Sequence, residues 1–183
     1  MKPITNLLIM AGGASSRMKH SLEDAQLSEA TKTIARSVHK SLIPLGKSQK
    51  PLLYYLVQNA VEAGYTDIYL ITSSENEAFQ DWVGTKKSHN TFAGAAVHFV
   101  IQNTPTGREK PLGTADAVQQ AMEQYPDLQT EYLSVCNGDN FYSVKALRLL
   151  HQTRDTPHAL ISYARSGLHF DNERIAKFAV MDI

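Results

Sequence analysis

Residues 7–19 read Leu-Leu-Ile-Met-Ala-Gly-Gly-Ala-Ser-Ser-Arg-Met-Lys, and this stretch decides the fold that we predict. The four apolar residues 7–10 form a continuous run, which is typical of a strand buried on both faces of a parallel sheet. The run stops at six small residues: Ala11, Gly12, Gly13, Ala14, Ser15 and Ser16. Small residues let the backbone approach a ligand closely, so we predict a turn whose main-chain N–H groups face an anion.

Two cations, Arg17 and Lys19, follow the turn, and they favour a nucleotide-phosphate site over a glycine-rich turn kept only for packing. The turn lacks the G-x-G-x-x-G spacing of dinucleotide-binding folds, and no Gly-Lys-Ser/Thr run follows it at P-loop spacing. A dinucleotide-dependent oxidoreductase is disfavoured further because no acidic ribose-binding residue follows the turn at a suitable strand end.

The composition is that of an ordinary α/β domain. The chain has 183 residues, 43% hydrophobic and 20% charged, so we expect residues 1–183 to form a single domain with a substantial core. Lys+Arg and Asp+Glu are equal at 18 each, which argues against a protein that coats nucleic acid. The single cysteine, Cys136, fits a reducing compartment, and no apolar run is long enough for a membrane span. Met1-Lys2-Pro3 leaves no room for a signal peptide before the first strand, so we expect a cytoplasmic protein.

The hydrophobic pattern after the glycine turn predicts alternating helices and strands. We expect further strands at residues 67–72, 95–101, 132–136, 159–164 and 177–182. We expect helices from near Leu22 after a Ser21 cap, from Pro51 to a Gly64 cap, around 79–83, from about 112 to 122, and after a Ser143 cap. Trp82 is expected in the core, and His98 is expected to be partly exposed. The alternation indicates a three-layer αβα sandwich with a mostly parallel, Rossmann-like sheet.

Other candidate site residues stand where the predicted strands and helices end. Asp139 follows the strand at 132–136, at the edge where open α/β sheets bind ligands, although an Asx turn would also explain it. Gly113 and Thr114 open a helix, and Gln102 ends the strand at 95–101. Taken alone, Gln102 is better explained as a polar strand terminus, although its amide has the donor and acceptor groups that a base edge can bind.

Four segments resemble the sugar-phosphate nucleotidyltransferases. In that family the opening strand leads into Ala/Gly-Gly-x-(Gly/Ala)-(Thr/Ser)-Arg-(Leu/Met), and residues 11–18 follow this pattern. Residues 40–45 and 50–53 are similar to the lysine-bearing segment, with His39 in place of the usual proline, an insertion at 48–50 and an expanded stretch at 20–39. Gly138-Asp139-Asn140 is similar to the metal-binding segment, and Gln102 precedes Gly113-Thr114-Ala115 as a base-reading glutamine does in the family.

The resemblance implies transfer of a nucleoside monophosphate from a nucleoside triphosphate to a sugar 1-phosphate, with release of pyrophosphate. It implies that residues 11–16, Gln102, Gly113 and Thr114 bind the nucleotide and that Asp139 binds Mg²⁺. Arg17 and Lys40 would neutralise phosphate charge, and Lys40 is favoured over Lys19 because its flanks match on both sides.

Alternatives remain within the same resemblance. One is a cytidylyl- or guanylyltransferase acting on a polyol phosphate, choline phosphate or molybdopterin, and another is a non-catalytic nucleotide-binding regulatory subunit. The family's second metal-binding aspartate and its Glu-Lys-Pro segment have no match here, so we expect a chain truncated at its C-terminus. The sequence leaves open the base, the sugar and the assembly state, a homo-oligomer included.

Overall fold

The computed structural model describes residues 3–13, 18, 22, 26–156 and 158–178. The chain divides into two compact units, Met1–Thr153 and Arg154–Ile183. The single domain expected from the chain length stays a prediction. Within the described ranges, no helix combines the length and the hydropathy that crossing a membrane requires.

Most of the regular structure lies in the larger unit. In the described part of the chain the strands are β1 (Asn6–Met10), β2 (Pro44–Leu45), β3 (Lys50–Pro51), β4 (Asp67–Thr72), β5 (Asn90–Phe92), β6 (Ala95–Ile101) and β7 (Leu133–Asn137). The α-helices there are α1 (Glu29–Ser37), α2 (Leu52–Ala63), α3 (Glu77–Val83), α4 (Thr114–Gln124), α5 (Val144–His151) and α6 (Asn172–Ile175). Short 3₁₀ turns lie at Lys40–Leu42, Pro126–Gln129 and Arg165–Gly167. Of these elements, α6 and the last 3₁₀ turn belong to the smaller unit.

Five strands form the central sheet in the order β5-β6-β4-β1-β7. β1 lies between β4 and β7 and is parallel to both, and β6 is parallel to β4. β5 pairs antiparallel with β6 at one edge, and β2 and β3 form a separate antiparallel pair. From β1 the chain adds β4 and then β6 on one side of the sheet. It then returns to place β7 on the other side of β1, so the strand order reverses between β1 and β7.

Both faces of the sheet are covered, which confirms the predicted sandwich. Leu7 and Ile9 point to a core that includes residues of α2, α3 and α5. Leu8 points to the opposite core, where it meets residues of α4 and the turn Pro126–Gln129. Since successive strand residues face opposite sides, the unbroken apolar run of β1 is what a strand covered by helices on both faces requires.

The strands that are buried on both faces were predicted best. β4 and β6 have the predicted bounds, β1 begins one residue before its predicted start, and β7 is shifted by one residue toward the C-terminus. The prediction of a strand at 159–164 is wrong, because these residues form no strand; Leu160 is 70% and Tyr163 61% exposed. In the strand predicted at 177–182, Lys177 and Phe178 belong to a turn and a bend, and residues 179–183 lie outside the described residues.

The helix expected near Leu22 begins later in the chain. α1 starts at Glu29 because the Ser28 hydroxyl accepts a hydrogen bond from the Thr31 amide at 3.2 Å, which is an N-cap. The predicted cap, Ser21, lies outside the described residues. Gly64 does end α2 in a left-handed conformation, and Ser143 does cap α5. Trp82 is 42% exposed, so the prediction that it belongs to the core is wrong.

His98 is buried rather than partly exposed, which corrects another expectation. It lies on β6 with 3% of its surface exposed, and its ring stacks on that of Tyr69, with the ring centroids 4.8 Å apart. The rings of His89 and Tyr125 contact it edge-on, and its Nε2 lies 3.2 Å from an Asp67 carboxylate oxygen. Its Nδ1 is buried and has no hydrogen-bond partner among the described residues. Burial therefore lowers the pKa of His98, although the Asp67 carboxylate acts in the opposite direction.

We expect His98 to make the folded chain less stable in mild acid. Because its pKa is lower in the folded state than in the unfolded state, its contribution is fully present above about pH 6.5 and is lost as the pH falls through the folded-state pKa. Urea unfolding at several pH values between 7.5 and 5 measures this. The free energy of unfolding should decline more steeply with falling pH in the wild type than in His98→Gln, and equal slopes would refute the prediction.

Candidate functional site

A cleft of about 320 Å³ opens at the carboxyl end of the central sheet. It is lined by Met10 at the end of β1, by Asn137 at the end of β7 and by residues that follow β1, β6 and β7. This is the point where the strand order reverses, and open α/β sheets bind their ligands there. Seven residues that the sequence predicted as site residues line the cleft: Gly12, Gly13, Lys40, Gln102, Gly113, Thr114 and Asp139.

The chain after β1 enters the cleft at Gly12 and Gly13. The preceding residue, Ala11, is 2% exposed, and its N–H donates to the Ile71 carbonyl at 2.8 Å, so it continues the sheet rather than lining the cleft. A Cβ on Gly12 would make ordinary contacts with the backbone of Thr72, the nearest atom being 3.5 Å away. Around Gly13 no described atom lies within 4 Å of the Cβ position, which leaves room for a ligand at the main chain. Ala14, Ser15, Ser16, Arg17 and Lys19 lie outside the described residues.

The loop after β7 is held against the end of β1 by Gly138. The Gly138 N–H donates to the Met10 carbonyl at 2.9 Å. A Cβ on Gly138 would lie 2.9 Å from that same carbonyl oxygen, and 3.2 Å from both the Ile9 Cγ2 and the Ser41 Oγ. The absence of a side chain at this position therefore lets the loop approach β1 and places the next residue, Asp139, at the cleft.

Lys40 and Asp139 form an ion pair across the cleft, although they lie 99 residues apart in the sequence. Lys40 begins the 3₁₀ turn Lys40–Leu42, and its Nζ donates to the Asp139 Oδ2. The Lys40 side chain is 27% exposed and that of Asp139 is 36% exposed, so both charged groups can be reached from the cleft. The structure thus brings together a cation, a carboxylate and the glycine turn, all three of which the sequence singled out.

The residues around Asp139 fit Mg²⁺ only if a bound nucleotide supplies some of the ligands. Mg²⁺ at phosphate sites is usually held by one or two carboxylates, by substrate phosphates and by water. Asp139 is the one acidic residue among the described residues that line the cleft. No group of three or more His, Cys, Asp or Glu side chains that could hold a metal occurs in the described ranges. Asp139 therefore suits a cation whose other ligands come from a bound nucleotide.

Gln102 is oriented by its neighbours at the start of α4. Its Nε2 donates to the Gly113 carbonyl at 3.1 Å and to the Asp116 carboxylate at 2.9 Å. Since both partners can only accept, the amide orientation is determined and the Oε1 is the atom that can accept a hydrogen bond from a ligand. Gly113 has a φ of 129°, in the range that favours glycine, and it precedes Thr114, the first residue of α4.

Two glutamines of α4 that sequence reasoning missed hold the segment around Gln102. The Gln124 amide accepts from the Ile101 N–H at 3.0 Å and donates to the Ile101 carbonyl at 2.8 Å. The Gln120 amide does the same with Asn103, at 2.7 Å and 3.2 Å. These contacts satisfy backbone groups at the end of β6 in the way a neighbouring strand would. The sequence shows only two glutamines four residues apart, a spacing that normally indicates the solvent-facing surface of a helix.

Cys136 is not among the described residues that line the cleft. It lies in β7, and burial raises the pKa of its thiol to about 12. A thiol with that pKa stays protonated at neutral pH and is a poor nucleophile.

Comparison with known proteins shows similarity to one family. A family model described as nucleotidyl transferase matches residues 7–169. The glucose-1-phosphate adenylyltransferase of Bifidobacterium animalis subsp. lactis is 20% identical over 176 residues, which are 96% of this chain and 38% of that protein. The enzyme of the same name from Deinococcus radiodurans is 24% identical over 164 residues, 85% of this chain and 36% of that protein. The chain thus spans less than two-fifths of the length of these two relatives.

Solved structures show the same fold. A crystal structure of UDP-glucose pyrophosphorylase complexed with UDP-glucose superposes with a TM-score of 0.53 at 17% identity, over 81% of this chain and 52% of that one. The UDP-glucose pyrophosphorylase from Acinetobacter baumanii gives a TM-score of 0.51 at 18% identity, over 74% and 46%. At these identities the likeness establishes the α/β fold.

Proposed function

Because this chain belongs to the nucleotidyl transferase family, we propose that it transfers a nucleoside monophosphate from a nucleoside triphosphate to a sugar 1-phosphate. A phosphate oxygen of the sugar 1-phosphate attacks the α-phosphorus, the bond between that phosphorus and the bridging oxygen breaks, and pyrophosphate leaves. One observation carries the proposal. Gly13, Lys40 and Asp139 come from three separate segments and line a single cleft where the strand order of the sheet reverses.

The residues of the cleft suit a reaction that needs alignment and charge neutralisation. The attacking phosphate oxygen is already anionic, so no strong general base is required. The glycine turn offers main chain to the nucleotide phosphates, and the Lys40 ammonium offsets charge that develops on them. Arg17, which lies outside the described residues, is proposed as a second cation. Asp139 would hold Mg²⁺, which when bound adds charge neutralisation at the phosphate oxygens.

The Lys40–Asp139 ion pair gives each charged group a partner within the chain. A triphosphate offers the Lys40 ammonium another anionic partner, and its approach frees the Asp139 carboxylate for a cation. Gln102 and the start of α4 would then contact the base, with the Gln102 Oε1 accepting from a donor on the base edge.

Replacement of Lys40 by alanine should lower nucleoside triphosphate affinity by roughly tenfold to a hundredfold, because a hydrogen bond to a charged group contributes roughly 1.5–3 kcal/mol. Lys47→Ala is the matched control, since Lys47 is exposed in the turn between β2 and β3 and does not line the cleft. Calorimetric titration with ATP, CTP, GTP and UTP measures both variants against the wild type. Equal losses in the two variants would contradict the assigned role of Lys40.

A pyrophosphate-release screen over the four triphosphates and a set of sugar 1-phosphates tests the reaction itself. We expect at least one pair to release pyrophosphate in a reaction that requires both substrates. A chain that binds a triphosphate but releases no pyrophosphate would be a nucleotide-binding regulatory protein, the second candidate. The single acidic side chain in the described lining of the cleft is the observation that favours this second candidate.

A further inference from the structure

We infer that His39 is a positioning residue that fastens the glycine turn after β1 to the 3₁₀ turn carrying Lys40. The inference rests on the proposed function, because it concerns how the same cleft is kept in shape for a nucleoside triphosphate. His39 stands directly before Lys40, at the position where the sequence departs from the proline that the family resemblance would place there.

The two ring nitrogens of His39 contact two different parts of the cleft. Its Nε2 lies 2.7 Å from the carbonyl oxygen of Gly13. Its Nδ1 accepts a hydrogen bond from the Ser41 N–H at 3.2 Å, so His39 caps the 3₁₀ turn Lys40–Leu42 with its side chain. Gly13, His39, Lys40 and Ser41 all line the cleft.

The partners determine which ring nitrogen carries the proton. A backbone N–H can only donate, so the Nδ1 must offer its lone pair to Ser41. A backbone carbonyl can only accept, so the Nε2 must carry the hydrogen that is donated to Gly13. The neutral ring with its proton on Nε2 satisfies both contacts at once, and no other form of the side chain does.

A third contact holds the plane of the ring. The His39 ring packs against that of Phe79 with the centroids 5.0 Å apart and the planes inclined at 57°. Phe79 lies on α3 and is only 4% exposed, so it is a fixed surface for the imidazole. The side chain is thus restrained by the glycine turn, the Lys40 turn and the core beneath α3.

The restraint has a consequence for ligand binding. Gly13 offers open main chain to a ligand and Lys40 offers an ammonium group, and both must meet the same triphosphate. His39 sets the separation of these two groups because it bonds one directly and caps the turn that bears the other. A prepositioned site binds more tightly, since less ordering is required when the ligand arrives.

Two substitutions separate the two contacts. In His39→Asn the amide oxygen stands close to the position of Nδ1 and keeps the cap, but the side chain is too short to reach Gly13. In His39→Gln the amide nitrogen reaches about as far as Nε2 and keeps the bond to Gly13. His39→Ala loses both contacts and serves as a second variant should His39→Asn fail to fold, with urea unfolding reporting on folding.

Calorimetric titration with ATP, CTP, GTP and UTP tests the inference. His39→Asn and His39→Ala should bind the preferred triphosphate about fivefold more weakly than the wild type, the loss expected for one hydrogen bond of about 1 kcal/mol. His39→Gln should stay within about twofold, so the order of affinities follows the Gly13 contact and not the stability of the variants. A merely structural role would instead make affinity track the free energy of unfolding.

The outcomes distinguish this inference from the proposed function. Wild-type chain that binds none of the four triphosphates overturns the proposed function, and the inference with it. If the wild type binds a triphosphate and His39→Asn, His39→Ala and His39→Gln bind it equally well, the positioning role is overturned. The proposed function is then unaffected.

Discussion

Replacement of Asp139 by alanine is expected to lower the rate of pyrophosphate release at least about a hundredfold, the loss typical of removing one group that stabilises transition-state charge. The variant loses the one acidic side chain among the described cleft residues and leaves Lys40 without the partner seen in its ion pair. The rate is measured with the triphosphate and sugar 1-phosphate that the screen identifies, at saturating Mg²⁺.

Asp81→Ala is the matched control for this prediction, because Asp81 is an exposed carboxylate on α3 that does not line the cleft. Its rate should stay within about twofold of the wild type, as is usual for a surface substitution away from the site. If Asp139→Ala retains clearly more than about a hundredth of the wild-type rate, the charge role assigned to this carboxylate is wrong.

Gly138→Ala is expected to destabilise the chain by about 2 kcal/mol, because core overpacking typically costs roughly 1–3 kcal/mol. The new Cβ would lie 2.9 Å from the Met10 carbonyl oxygen, a backbone atom that cannot move without disturbing β1. Relief of this contact requires the loop to withdraw from β1, which would displace Asp139 as well. Urea unfolding measures the loss of stability, and pyrophosphate release measures the displacement.

Gly13→Ala provides the contrast, since no described atom lies within 4 Å of the position its Cβ would take. Its free energy of unfolding should differ from the wild type by less than about 0.5 kcal/mol. Its triphosphate affinity should fall, because the added methyl group occupies the cleft beside the main chain. If Gly13→Ala and Gly138→Ala lose similar amounts of stability, Gly138 is not required for the close approach of the loop after β7 to β1.

The central strands could be predicted well because their apolar sequences are distinctive. β1, β4 and β6 are buried on both faces, so each has a mostly apolar sequence, which His98 interrupts in β6. β5 and the pair β2/β3 were missed because strands of two or three residues are defined by their partners and not by their own composition. Residues 159–164 were predicted as a strand but form none. A run of strand-forming residues becomes a strand only where a neighbouring strand is present to pair with it.

Sequence reasoning selected seven of the residues that line the cleft and missed the contacts that support them. Gly13 and Asp139 were identified because a small and an acidic residue follow apolar strands, where phosphate and metal sites occur. Lys40 was identified by the family resemblance of the residues on both sides of it. All three residues line the cleft. The contributions of His39, Asp116 and Gln120 depend on contacts between segments that only the folded chain brings together. His39 could have been suspected, because it interrupts an otherwise matching segment directly before Lys40.

We propose that Gly12 and Gly13 after β1 and the Asp139 carboxylate after β7 bind one nucleotide and its cation in the same cleft. A crystal structure of the chain with its preferred triphosphate and Mn²⁺, with the anomalous signal of manganese recorded, tests this most directly. We expect the phosphates to lie over the main chain of Gly12 and Gly13 and the manganese peak to lie at the Asp139 carboxylate. A nucleotide bound at another surface, or a manganese peak remote from Asp139, would contradict the claim.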